Sequence, residues 1–242
     1  MKKVLLPLTL VLLLAGCSAA KPGTVPAPAG QGSTTSTESL ETLTTRADAG
    51  DADAQFQLGA MYHDGQQVKQ DFKKAMEWFG KSAAKGDERA QFNLGVMYYI
   101  GEGVKQDYAK AKTWFEAAAK KKNARAQFNL GVIYYRGEGV KLDFAQALSY
   151  FAEAASQGFA EAEFNLGVMY AKGEGVSQDI GKAYAWFTAA KAYGSDKADE
   201  AILNIEKALT ADQLKQVKLL AAELKKEIDK NVSALKAEAN KL

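Results

Sequence analysis

Reactive side chains are scarce in this chain. Its 242 residues include one cysteine, Cys17, and one histidine, His63. A disulfide within the chain is therefore excluded, and so is a zinc site of the His or Cys type. An excess of one charge is missing too: the formal net charge is +2 with 25% charged residues, which gives no electrostatic case for nucleic-acid binding. The densest basic run, Lys120-Lys121-Lys122, reads as a solvated helix end that compensates the helix dipole. Long apolar runs are absent as well. Val4 to Leu14 is interrupted by Pro7 and Thr9 and falls short of the roughly 20 residues that a membrane-spanning helix needs.

What is present is repetition. Glycines 59, 95, 131 and 167 are spaced by 36, as are Phe56, Phe92, Phe128 and Phe164. The interval returns in Asp71, Asp107, Asp143 and Asp179, and in Trp78, Trp114, Tyr150 and Trp186. A period of this size without strand-like alternation signals stacked helical hairpins. In the second copy, Asp87 can cap a first helix that Gly101 stops, and Asp107 can cap a second. Ala90, Leu94 and Tyr98 would form one buried stripe. Gly86 and Gly158 end second helices, and Asn123 is expected to take the left-handed role in the third case. Gly95 and its equivalents lie inside a helix, where glycine costs about 1 kcal/mol relative to alanine. The missing Cβ would let the Trp-Phe pair of the partner helix pack close.

Gly-Glu-Gly, which follows the first helix at Gly101, Gly137 and Gly173, superficially resembles a phosphate loop. Phosphate loops, however, follow a strand and lead into a helix with a fixed Lys or acidic partner. Here the triplet reads as a helix stop and a turn. The first copy has Gln67 in place of the second glycine, so that position reads as dispensable to the turn.

The pattern Ala-x-x-x-Leu-Gly-x-x-Tyr-x-x-Gly-x-Gly-Val-x-x-Asp-x-x-x-Ala-x-x-Trp-Phe-x-x-Ala-Ala resembles the Sel-one-like repeat, a relative of the tetratricopeptide repeat. It implies an all-α, right-handed α-solenoid of stacked helical hairpins in 36-residue units with a C-terminal capping helix. The expected organisation is four repeats over 51–194 (51–86, 87–122, 123–158, 159–194) after a capping helix at 39–50. A degenerate repeat and a capping helix follow over 195–242, with Thr210-Ala-Asp-Gln213 as a capping box. Leu214, Val217, Ala221, Leu224 and Ile228 carry the apolar stripe of that last helix, and Leu235 and Leu242 keep its beat. Members of this family are typically adaptors without cofactors. A cysteine-rich subset is associated with β-lactams, but no repeat here has a cysteine, so an activity on peptidoglycan or β-lactams remains only an alternative.

The first residues resemble a lipoprotein signal. Lys2 and Lys3 precede the apolar stretch, which ends in Leu14-Ala15-Gly16-Cys17, similar to a lipobox. The resemblance implies that 1–16 is a signal peptide and that Cys17 carries lipid. Ser18 after it favours the periplasmic face of the outer membrane. Residues 17–38, rich in Ser, Thr, Pro, Gly and Ala, read as a flexible tether.

No catalytic constellation emerges. His63 takes the place of Tyr99 and Tyr135 and reads as a surface residue. Ser-x-x-Lys occurs at Ser82 to Lys85, but the companion motifs Ser-Asp-Asn and Lys-Thr-Gly are absent. The acidic residues read as caps and exposed positions. No enzyme, metal or cofactor is therefore expected. What remains is a surface beside the core stripe of the first helices: Gln57, Met61, Asn93, Met97, Ile100, Asn129, Ile133, Arg136, Asn165, Met169 and Lys172. Family analogy makes this a groove for a protein partner in the cell envelope, with amides for peptide backbone and soft apolar side chains beside them. A surface-exposed factor that binds a host protein is a second alternative.

Overall fold

The computed structural model describes residues 39–239, which form helices and no strand. The helices are α1 (Leu40–Asp48), α2 (Ala52–Asp64), α3 (Phe72–Ala84), α4 (Glu88–Ile100), α5 (Tyr108–Ala119) and α6 (Ala124–Arg136). They continue with α7 (Phe144–Ala155), α8 (Ala160–Lys172), α9 (Ile180–Ala192), α10 (Ala198–Ala208) and α11 (Ala211–Ala239). None of them is long and apolar enough to cross a membrane. The signal segment, Cys17, the tether and Leu242 lie outside the described residues.

The helices divide between two compact units. The first holds α1 to α5 and α6 up to Ile133, together with residues 138–140; the second holds the end of α6 and α7 to α11. Within the first, α2 packs on α3 and α4 on α5 as hairpins, with α1 on the outer side of α2. Within the second, α8 and α9 form a hairpin, and α10 and α11 both pack on α9.

Three of the hairpins share one very close contact. A Cβ added at Gly95 would lie 2.5 Å from the Phe115 ring, and at Gly59 and Gly167 it would lie 2.6 Å from Phe79 and Phe187. The helical glycines are thus required by close packing, and each phenylalanine they admit is fully buried. Burying such a ring is worth about 1.5–3 kcal/mol, which outweighs the propensity cost of about 1 kcal/mol for glycine. Of the Trp-Phe pair, only the phenylalanine makes the approach; Trp114 is half-buried. The stripe of α4 also differs from expectation, running Ala90, Leu94, Met97, while Tyr98 is half-buried with the Lys110 ammonium 5.3 Å from its ring.

Aspartates start most of these helices. The Asp87 carboxylate accepts from Arg89 N at 2.9 Å and Ala90 N at 3.3 Å, and Asp107 accepts from Lys110 N at 3.0 Å. Each cap contributes about 1 kcal/mol. At the third repeat the expectation needs correction. Lys122, at φ +63°, takes the left-handed position, and Asn123 caps α6 by accepting from Ala126 N at 3.0 Å. The register explains this: 122 lies one period from Gly86 and Gly158, and Asn123 occupies the cap position of Asp87.

Gly-Glu-Gly is a helix stop, as its neighbours implied. Gly101 is left-handed and donates its N–H to Met97 O at 2.9 Å. The second glycine is not dispensable in the later copies. A Cβ at Gly103 would lie 2.7 Å from Phe72 Cβ, and one at Gly175 only 2.6 Å from the Phe144 carbonyl oxygen. The preceding repeat's second helix starts against this position. Among the described residues only α1 precedes the first repeat, and there Gln67 sits exposed at φ +60°.

Candidate functional site

The candidate residues separate on folding into a buried and an accessible set. Met97, Asn129, Ile133, Asn165 and Met169 are all buried, so they belong to the core and not to a groove. The two asparagines reach that burial because each side-chain N–H bonds a carbonyl one turn back in its own helix. Asn129 donates to Arg125 O at 2.8 Å and Asn165 to Glu161 O at 2.7 Å. Burial, at 3% exposure for Asn129 and 2% for Asn165, keeps these amides from a peptide.

The remaining candidates stay accessible. In the first unit, Gln57 is exposed, Met61 and Asn93 are half-buried, and Ile100 is 43% exposed. Around them lies a polar row across α2 and α4. Gln57 Nε2 donates to Asp53 Oδ2 at 2.5 Å, and Arg89 donates to Asp53 Oδ1 at 2.7 Å. Arg89 also donates to Asp87 Oδ2 at 2.6 Å and lies over the Phe56 ring at 4.2 Å. Burial works against ionisation of Asp87, but the hydrogen bond and charge of Arg89 bring its carboxyl below the usual range. The guanidinium is therefore fixed between two carboxylates at the start of α4, and Ile100 is the exposed apolar residue at the other end of that helix. In the second unit, Arg136 is half-buried, and the half-buried Lys172 lies 4.0 Å from Glu174.

The glutamate of Gly-Glu-Gly has a structural role that sequence reasoning missed. It accepts from the aromatic or imidazole position of the repeat before it. Tyr135 OH donates to Glu174 at 2.7 Å, Tyr99 OH donates to Glu138, and His63 Nε2 shares a hydrogen bond with Glu102 at 3.1 Å. Burial first, and then Glu174, push the Tyr135 hydroxyl up. The separation of 39 residues, one period plus three, was the signal that could have shown this ladder. His63 is thus a linking residue and not a free surface group: its Nδ1 also meets Asp64 at 2.7 Å.

Chemistry has little to work with. Ser82 of the Ser-x-x-Lys is buried and its hydroxyl donates to Ala52 O at 2.8 Å, so it is turned into the fold. Among the described residues no cluster of His, Cys, Asp and Glu could hold a metal ion. Glu163, expected at an exposed or capping place, is 0% exposed, and neither of its carboxyl oxygens has a hydrogen-bond partner. It occupies the register of Gln55, Gln91 and Gln127.

Comparison with known proteins agrees with this geometry. A family model for the Sel1 repeat matches residues 52–87, 88–123, 124–159 and 160–192. The chain is similar to a protective antigen present in uropathogenic Escherichia coli strains that displays an SLR fold. Identity is 40% and the TM-score 0.65, covering 66% of this chain and 34% of the antigen. It is also similar to a Sel1 repeat protein from Oxalobacter formigenes, with 35% identity and a TM-score of 0.62, covering 68% of this chain and 48% of that one. The chain thus spans less than half the length of either structure. No curated protein matches it.

Proposed function

The chain belongs to the Sel1 repeat family, and from that premise we propose that it is a protein-binding scaffold of the cell envelope, with no chemistry of its own. The observation that carries this reading is the face of α2 and α4 in the first unit. There an ordered Arg89, bonded to Asp53 and Asp87, stands with the exposed Gln57 and the solvent-facing Ile100. A polar cluster of this kind, with an exposed apolar side chain about 16 Å further along α4, suits a polypeptide that offers hydrogen-bonding groups and an apolar residue. By family analogy, tetratricopeptide-like folds bind partners along their first helices.

Anchoring rests on the sequence. Leu14-Ala15-Gly16-Cys17 supports lipidation of Cys17 and a place at the periplasmic face of the outer membrane. Cys17→Ser is expected to abolish incorporation of labelled palmitate. A second reading, exposure at the cell surface, is supported by the likeness to a protein described as a protective antigen. Protease treatment of intact cells separates the two orientations.

The scaffold reading is tested by photo-crosslinking in living cells with the probe at Ile100 and, as a control, at the exposed Ala109 of α5. The expected result is a discrete protein adduct from Ile100 that is absent from Ala109. Adducts of equal yield at both, or none at either, would overturn it.

A further inference from the structure

Three repeats carry glutamine where the fourth carries Glu163. The amide in this register ties the helix to the one before it. Gln55 Nε2 donates to Ala47 O at 2.9 Å and Gln91 Nε2 to Ala83 O at 3.4 Å. In both cases the acceptor lies eight residues back, at the end of the preceding helix. The same step from Glu163 leads to the carbonyl of Ala155 in α7. A carboxylate cannot donate to a carbonyl, whereas a neutral carboxylic acid can.

The surroundings make the charged form costlier still. Glu163 is fully buried without a partner for either oxygen. The charged groups acting on it come from the C-terminal helix α11, where Asp229 opposes its ionisation and Lys225 favours it. Those two groups are already committed to each other, with Lys225 Nζ to Asp229 Oδ2 at 2.5 Å and Tyr193 OH, just past α9, to Asp229 Oδ1 at 2.9 Å. Beside this polar set, Ile228 of α11 is buried with Ala189, against Trp186 and Tyr193. Around Ile228, α11 therefore closes over α9, beside a carboxyl of α8 that has no counter-ion of its own.

We propose that Glu163 is a proton-operated latch: as a neutral acid it lets α11 close against α8 and α9, and its ionisation loosens α11. Burial, and after it Asp229, push the Glu163 carboxyl up to about 8. The folded value lies above the ordinary one of about 4.3, so the closed state holds a proton that a hydrated Glu163 would release. Closure is firmest in acid, weakens as pH rises through that window, and levels off above the folded value. Loosening exposes the apolar strip around Ala189 that Ile228 covers.

Hydrogen exchange of the full chain across pH 5 to 9, divided by intrinsic rates, tests this. For α11 amides between Val217 and Ile228, the opening constant should rise by up to about tenfold per pH unit and flatten toward the top of the range. Glu163→Gln installs the residue of the other three repeats, which fold with it, and should give a flat and lower opening constant. An equal pH slope in Glu163→Gln, or a flat profile in the wild type, would overturn the latch. So would an identical slope in α9, because the whole unit would then be opening and not the helix alone.

Discussion

The first and fourth hairpins share one plan and differ at two places. At the turn, the first has Gln67 in a left-handed conformation and the fourth has Gly175 packed against the Phe144 carbonyl. In the first-helix register, the first has Gln55 bonded to Ala47 O and the fourth has Glu163 bonded to nothing. One difference follows from the neighbour: Gly175 meets the start of a preceding second helix, and among the described residues Gln67 has none to meet. The other difference has no packing explanation, because glutamine satisfies the same register elsewhere. A departure that stacking explains reports architecture, and one that it leaves uncompensated points to function.

The largest effect that would test the shared plan is at the Gly–Phe contact within a hairpin. Phe115→Ala should cost about 3–5 kcal/mol by leaving a cavity opposite Gly95, read as a drop in urea midpoint. A cost below about 1 kcal/mol would mean that the Gly–Phe approach does not hold the hairpin. Glu163→Gln should act in the opposite sense, raising stability at neutral pH by about 1–3 kcal/mol because a buried unpartnered group is removed. The sign with pH is definite. The folded carboxyl sits near 8, above its unfolded value, so the wild type is penalised progressively as pH rises and the advantage of the variant shrinks in acid. Denaturation curves at pH 5 and pH 8 compare the two directly.

Smaller effects refine the comparison. Tyr135→Phe removes the donor to Glu174 and should cost about 0.5–1.5 kcal/mol; no change would make the ladder incidental. Gln67→Gly relieves a left-handed side chain that nothing in the packing requires and should gain about 1 kcal/mol, seen as a rise in Tm.

Much of the fold was legible because it recurs. Glycines, aromatics and cap residues at one interval define hairpins without reference to any contact, and the caps at Asp87 and Asp107 follow from residue type alone. The face that each neighbour turns inward was not legible. Met97 and Tyr98 are adjacent on α4, and the neighbouring helices decide which is buried: Met97 joins Ala75, Phe79 and Ala83 of α3. Asn129 and Asn165 read as exposed amides, but a bond to their own helix let them enter the core. Glu163 was visible by register as the one acid among glutamines, yet the charged groups that act on it, Asp229 and Lys225, lie on α11, whose path no repeat describes.

The claim that the repeated turn is architecture and not a ligand cradle is tested most directly by the stability of Gly175→Ala beside Gln67→Ala, measured by urea denaturation with and without added nucleotide. A Cβ at 175 would be left-handed and 2.6 Å from a backbone oxygen, so a loss of about 2–4 kcal/mol is expected from strain and overpacking together. Gln67→Ala should change little, and nucleotide should shift neither. Equal costs at the two positions, or a nucleotide-dependent gain in the wild type that Gly175→Ala abolishes, would contradict it.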